Sequence, residues 1–175
     1  VPYLATSVEA LNTPAGPFQR LTELACRLFD APAAVVTLMT GDNAVLWCSD
    51  GSPVKTTPRD KTMADRLIQQ GAGSVLVVRD SLADPIARDH FLVAAPHSLR
   101  FYAGVTICGP DGRPVGAFGV TDRQPRPHPS DADITALKML GRMAEDIIAA
   151  LEVARVSEER QGTLRLVEQM AGVGH

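Results

Sequence analysis

The sequence predicts an α/β (α+β) fold, an antiparallel β-sheet sandwiched between N- and C-terminal helices on one side and a helix/loop layer on the other. Three observations predict it. Two β-rich pairs are each joined by a short polar turn, Gly41-Asp42-Asn43 and Gly109-Pro110-Asp111-Gly112, of the kind that links antiparallel neighbours. The run Ala33–Thr40 carries Val35, Thr37 and Met39 on one face and Val36 and Leu38 on the other, so it wants cover on both sides. Segments of helical periodicity stand at the two ends of the chain.

Each element follows in order. Residues 1–16, with Pro2, Pro14 and Gly16, read as a lead-in. Phe18, Leu21, Leu24, Ala25 and Leu28 recur at helical spacing and predict a helix from Pro17 to Phe29. Pro17 suits a first turn, where a missing N–H costs nothing. A hairpin of Ala33–Thr40 and Ala44–Ser49 comes next. Asp50 to Lys61 reads as a Pro, Gly and Thr loop, Thr62 to Gln70 as a short helix ended by Gly71, and Val75–Val78 as a short strand. Residues 80–98 are irregular, broken by Asp84-Pro85 and Ala95-Pro96. Strands follow at Phe101–Cys108 and Pro114–Thr121, then an extended stretch with Pro125, Pro127 and Pro129.

The last segment has the clearest local signal. Ser130 and Asp133 form a capping-box pattern. Behind it, Leu137, Leu140, Ala144, Ile147, Leu151 and Ala154 alternate in threes and fours as a heptad-like seam. Ile134, Met143 and Ile148 widen that stripe. The seam predicts a homodimer through the terminal helices, because one sheet face covers only part of a helix. Beyond Glu152 the sequence turns polar, Gly162 interrupts it at about 1 kcal/mol relative to Ala, and Leu164, Val167 and Ala171 resume a weaker stripe.

Composition narrows the function classes. The net charge is −3, from 17 basic and 20 acidic residues mixed along the chain. A nucleic-acid partner would need a clustered basic face, so none is expected. No apolar run has the length of a membrane span and no signal peptide is legible, so no membrane partner is expected. The three cysteines, Cys26, Cys48 and Cys108, are far apart. No disulfide or zinc site is expected from them, and they fit a reducing, cytoplasmic setting as small apolar residues. The histidines His90, His97, His128 and His175 share no metal-ligand spacing. Val1 in place of methionine reads as the start of a fragment.

Two segments carry a resemblance. Arg100-Phe101-Tyr102-Ala103-Gly104-Val105 and Gly112-Arg113-Pro114-Val115-Gly116-Ala117-Phe118-Gly119-Val120-Thr121-Asp122 look like the last two strands of the GAF domain, and Leu82-Ala83-Asp84-Pro85 resembles that family's Asp-Pro after its middle strand. Gly104, Gly116 and Gly119 cost entropy in strands and mark close approach of another group. The likeness spans residues 17–151. Residues 152–175 read as a helical linker, and Leu166 to His175 resembles the entry to a PAS domain.

The resemblance implies a regulatory input domain of a signalling protein, a histidine kinase or a cyclic-di-nucleotide enzyme, with no catalysis of its own. It implies a small-molecule pocket between the sheet and residues 50–98. The residues expected to line it are Trp47, Met63, Leu67, His90, Phe91, Phe101 and Tyr102. For His90 a loop role, and for Trp47 and Tyr102 a core role, stands beside the ligand role. No cysteine lies within residues 50–98, where a covalent tetrapyrrole anchor would be sought, and no cofactor is assigned. Two alternatives stand: a ligand-free dimerisation module, and a cysteine-based redox enzyme or redox sensor.

Overall fold

The computed structural model describes residues 16–49, 55–90 and 92–172. Residues 1–15, 50–54, Phe91 and 173–175, on which fall most of the expected lead-in, part of the expected loop and the end of the expected PAS-like entry, lie outside the described residues. The elements in chain order are α1 (Pro17–Phe29), β1 (Ala33–Thr40), β2 (Asn43–Cys48), β3 (Lys55–Pro58), α2 (Met63–Gln70), β4 (Val75–Val78), β5 (Phe101–Cys108), β6 (Pro114–Asp122) and α3 (Asp131–Gly172). Short 3-10 turns at Arg59–Lys61 and Ala87–Asp89 punctuate the middle.

The strands form one six-stranded sheet in the order β3-β2-β1-β6-β5-β4. Every pairing is antiparallel. Alternation along each strand sends side chains to opposite faces, and each face has its own layer. Val36, Leu38, Val45, Trp47, Ala103, Val105, Ile107, Phe118 and Val120 meet Phe18, Leu21 and Ala25 of α1 and Leu137, Leu140, Ala144 and Ile148 of α3. Met39, Ala44, Leu76, Val78, Tyr102 and Ala117 meet Met63, Ala64 and Leu67 of α2. The layered architecture expected from the sequence is the observed one.

β3 is an element that the sequence reading placed in a loop. Thr56, Thr57 and the prolines around them read as turn residues. β3 is an edge strand paired only with β2, Asn43 opposite Pro58, and an edge tolerates a proline that a central strand does not.

α3 is one unbroken 42-residue helix, about 60 Å long at 1.5 Å per residue. The capping box forms as expected: Asp133 N–H donates to Ser130 Oγ at 3.1 Å, and Ser130 N–H donates to Asp133 Oδ2 at 3.1 Å. Close packing on the sheet requires Gly141, where a Cβ would stand 2.7 Å from Val105 Cγ2. The seam expected to bind a second copy needs correction. Leu137, Leu140 and Ala144 are at most 3% exposed within their own domain, and Ile147 and Leu151 pack partly buried against the same core. Met143, grouped with that stripe, instead faces outward at 45% exposure. The stripe packs on β5, β6 and α1, which together take in more of the helix than a sheet alone.

The junction of α1, β6 and the strap into α3 is held by Arg126. Its Nε donates to Asp122 Oδ2 at 2.7 Å, and its Nη1 donates to the Phe29 carbonyl at 2.8 Å. Nη2 reaches the Asp30 carbonyl, and the guanidinium lies 5.7 Å from the Phe101 ring centroid. A cation thus satisfies carbonyls at the C-terminal end of α1, where the helix dipole is negative. Among the described residues, no helix is long and apolar enough to cross a membrane.

Candidate functional site

The candidate site lies on the α2 face of the sheet. α2 starts where Thr62 caps it: Thr62 Oγ1 accepts the Asp65 N–H at 3.2 Å and donates to the Arg59 carbonyl at 2.7 Å. One face of α2 buries Met63, Ala64 and Leu67. Small residues beneath it, Ala44 and Ala117, let the helix sit low on the sheet. Thr106 Oγ1 ties the helix end down by donating to the Leu67 carbonyl at 3.3 Å.

Between α2 and the sheet is a cavity of about 40 Å³, lined by Val35, Thr37, Leu46, Thr62, Met63, Leu92, Leu99 and Tyr102, with Lys61 at its rim. That volume accommodates a water molecule. It is far below the roughly 300–1,000 Å³ of a site for a drug-sized ligand. The space is filled by Tyr102. Gly104 and Gly119 are directly paired on neighbouring strands, and the Tyr102 ring lies across both. A Cβ at Gly119 would stand 2.8 Å from Tyr102 Cε2, and one at Gly104 would collide with the phenol oxygen.

Two buried hydroxyls line what remains. Thr37 is 5% exposed and Tyr102 is 4% exposed, and neither side chain makes a hydrogen bond to a described residue. Burial pushes the Tyr102 phenol well above its ordinary value, so it stays protonated.

The sequence-predicted site residues do not form a single cluster. Met63, Leu67 and Tyr102 share the α2-side core. His90 lies at the edge of this layer, half-buried, with Nδ1 accepting the Leu92 N–H at 3.2 Å. Burial lowers its pKa and the nearby Lys61 and Arg66 charges add to this, while a hydrogen bond with the Lys61 backbone opposes it. Phe91 lies outside the described residues. Trp47 and Phe101 belong to the opposite face. Trp47 packs on Phe18 at 5.3 Å between ring centroids, and Phe101 sits in the core beneath the terminal helices. The reason is the period of a strand: Phe101 and Tyr102 are adjacent and must point to opposite faces. Thr37 and Lys61 are the polar residues that the sequence reading missed. The signal for Thr37 was present, since it shares a face with Val35 and Met39.

Other features carry less chemistry. A groove of about 760 Å³ beside β4 is lined by Val77, Arg79, Asp84, Pro85 and Pro125 to Pro127. It is broad and open to solvent, and of its two guanidiniums Arg126 is already committed to Asp122, Phe29 and Asp30, while Arg79 is exposed. Among the described residues, no group of three or more His, Cys, Asp or Glu side chains gathers as a metal site. Cys26 Sγ lies 3.2 Å from Ser49 Oγ. Burial raises the Cys108 thiol pKa, and Glu145 and Asp111 raise it further, which works against a reactive thiolate there.

Comparison with known proteins places these features. The chain is 28% identical over 158 residues to a cyclic di-GMP phosphodiesterase from Pseudomonas aeruginosa, a match covering 88% of this chain and 26% of that protein. The chain therefore spans about a quarter of the length of this curated relative. A domain of a methyl-accepting chemotaxis protein superposes with a TM-score of 0.63 at 13% identity, covering 78% of this chain and 89% of the other. The blue-light absorbing form of the PixJ GAF domain from Thermosynechococcus elongatus superposes with a TM-score of 0.61 at 13% identity, covering 85% and 90%. At such identities the two structures speak to the fold alone. The GAF domain family model matches residues 16–148, and with the antiparallel sheet, its two helical layers and the glycine-bearing β5–β6 pair, this chain belongs to the GAF domain family.

Proposed function

We propose that this chain is the sensory input domain of a multidomain signalling protein working in the cytoplasm, and that α3 is its output. On this reading the domain performs no chemistry itself. The observation that carries it is the division of α3. The first half supplies core residues Leu137, Leu140, Ala144 and Ile148. The second half runs off the domain, and every side chain from Val156 to Gly172 is exposed. A change in how the domain packs on the first half must move the second half, because both are one helix. Of a histidine kinase and a cyclic-di-nucleotide enzyme as the output, the 28% identical relative favours the latter.

The reading includes a homodimer, through a different face of α3 from the buried stripe. Met139, Met143, Ala150, Val153, Leu164, Val167 and Ala171 recur at alternating steps of three and four, with Asp146, Ser157 and Arg160 completing the repeat; all ten are exposed. A free helical arm with Val156, Gly162, Thr163 and Val167 would fray in water. A second copy of the same stripe along a two-fold axis supplies the missing partner.

Sedimentation of the chain at micromolar concentration tests this. The expected result is a dimer, converted to folded monomers by Val153→Glu. Val153 is 70% exposed, so the substitution leaves the monomer's own stability within about 0.5 kcal/mol. A wild-type monomer, or a dimer indifferent to Val153→Glu, contradicts the proposal.

The small cavity favours a second reading, a dimerisation module that senses nothing. Native mass spectrometry separates the two: a co-purifying small molecule supports sensing, and a clean apo mass under mild conditions supports the module.

A further inference from the structure

The paired glycines under Tyr102 form a flat seat for one ring, and the chain fills it with its own phenol. Around the seat are Thr37 and Tyr102, two buried residues that line the small cavity and whose hydroxyls make no hydrogen bond to a described residue. At the rim is Lys61, exposed and with no ion pair among the described residues. A hydroxyl that borders a cavity is free to bond a group entering it, and an ammonium at the mouth of an apolar slot favours an anion. The empty volume is about 40 Å³, so only a group that takes over the space of the Tyr102 ring can enter.

We infer that the stimulus of this domain is a one-ring aromatic acid that replaces the Tyr102 ring on the Gly104–Gly119 seat, with Thr37 bonding its ring substituent and Lys61 its carboxylate. This rests on the sensory reading above and specifies its ligand class. Tyr102 is then a built-in competitor. The apparent affinity is the intrinsic affinity reduced by the fraction of molecules whose ring has left the seat. Release of the ring changes β5, whose next outward residues, Ala103 and Val105, lie in the core beneath the terminal helices. Val105 is the residue against which Gly141 of α3 packs.

The test is a titration of the isotope-labelled wild-type chain with 4-hydroxybenzoate, followed by NMR. Saturable shifts at the Gly104 and Gly119 amides are expected, with the Tyr102 ring signals exchanging from buried to released positions. Tyr102→Ala removes the competitor and should tighten binding about tenfold or more. Thr37→Val should weaken it about fivefold, the worth of one hydrogen bond, and Lys61→Met should weaken it by a similar factor. Should Tyr102→Ala not fold, the wild-type ring signals carry the test alone. No saturable binding to wild type at millimolar ligand overturns the inference. So does binding that leaves the Tyr102 ring unmoved, or an affinity that Tyr102→Ala leaves unchanged. If the acid fails to bind while changes in α3 still alter output, the ligand class falls and the regulatory reading stands.

Discussion

At the scale of single residues, the pairing of Arg126 with Asp122 decides how the strap into α3 is held. Burial alone would favour a neutral Asp122, but hydrogen bonds from Gln124 and Arg126 outweigh it and hold the carboxyl below its ordinary value. Its stabilisation is therefore present above the unfolded value of 3.8 and lost as pH falls through the lower folded value. Arg126→Ala strands a mostly buried carboxylate and the Phe29 carbonyl. The expected cost is about 2–3 kcal/mol at neutral pH, read by urea denaturation and shrinking in acid as Asp122 protonates. His90 gives a second window. Its folded pKa lies below 6.5, so the unfolded chain takes up the proton first. Its contribution is complete above the unfolded value and falls as pH drops towards the folded one. His90→Gln should flatten the stability profile between about pH 7.5 and pH 5.5, and an unaltered slope there would assign the effect to another group. The limits of sequence reading also lie at this scale. Tyr102 could be chosen beside Gly104 because a ring and a missing side chain fit together. Trp47 and Phe101 are aromatic and near the glycine-bearing strands in sequence, but the two-residue period of a strand puts them on the other face.

At the scale of elements, most of the fold was legible in the sequence because local signals and tertiary packing agree. α1 ends at Asp30 in the left-handed conformation, as the Asp30-Ala31-Pro32 stop implied. The Ser130–Asp133 cap and the turns before β2 and β6 are local chemistry. β3 was not legible, since its four residues derive their strand character from pairing with β2 rather than from their own propensity. The faces of α3 were not legible either, because two heptad repeats run along the same helix and periodicity does not say which meets the sheet. In the dimer proposed above, Asp146 and Arg160 on the outward repeat would place like charges at the two-fold seam, at a cost in stability. Asp146→Leu is expected to tighten dimerisation about tenfold, a gain of about 1.4 kcal/mol, measured by sedimentation equilibrium. A weaker dimer would place that residue off the seam.

At the scale of the whole molecule, the sheet separates two layers and β5 belongs to both. Tyr102 faces the α2 layer, while Ala103 and Val105 face the terminal helices. An event under α2 thus has a one-strand route to α3, and α3 leaves the domain as one continuous helix. On the proposed function this arm is the output. The measurement that bears on it inserts one to four alanines between Glu159 and Arg160 in a full-length protein carrying this domain and reads its signalling output. If α3 transmits the signal, output should swing with helical phase at about 100° per residue, and a seven-residue insertion should restore it. An output indifferent to all of these insertions would contradict the assignment of α3 as the coupling element.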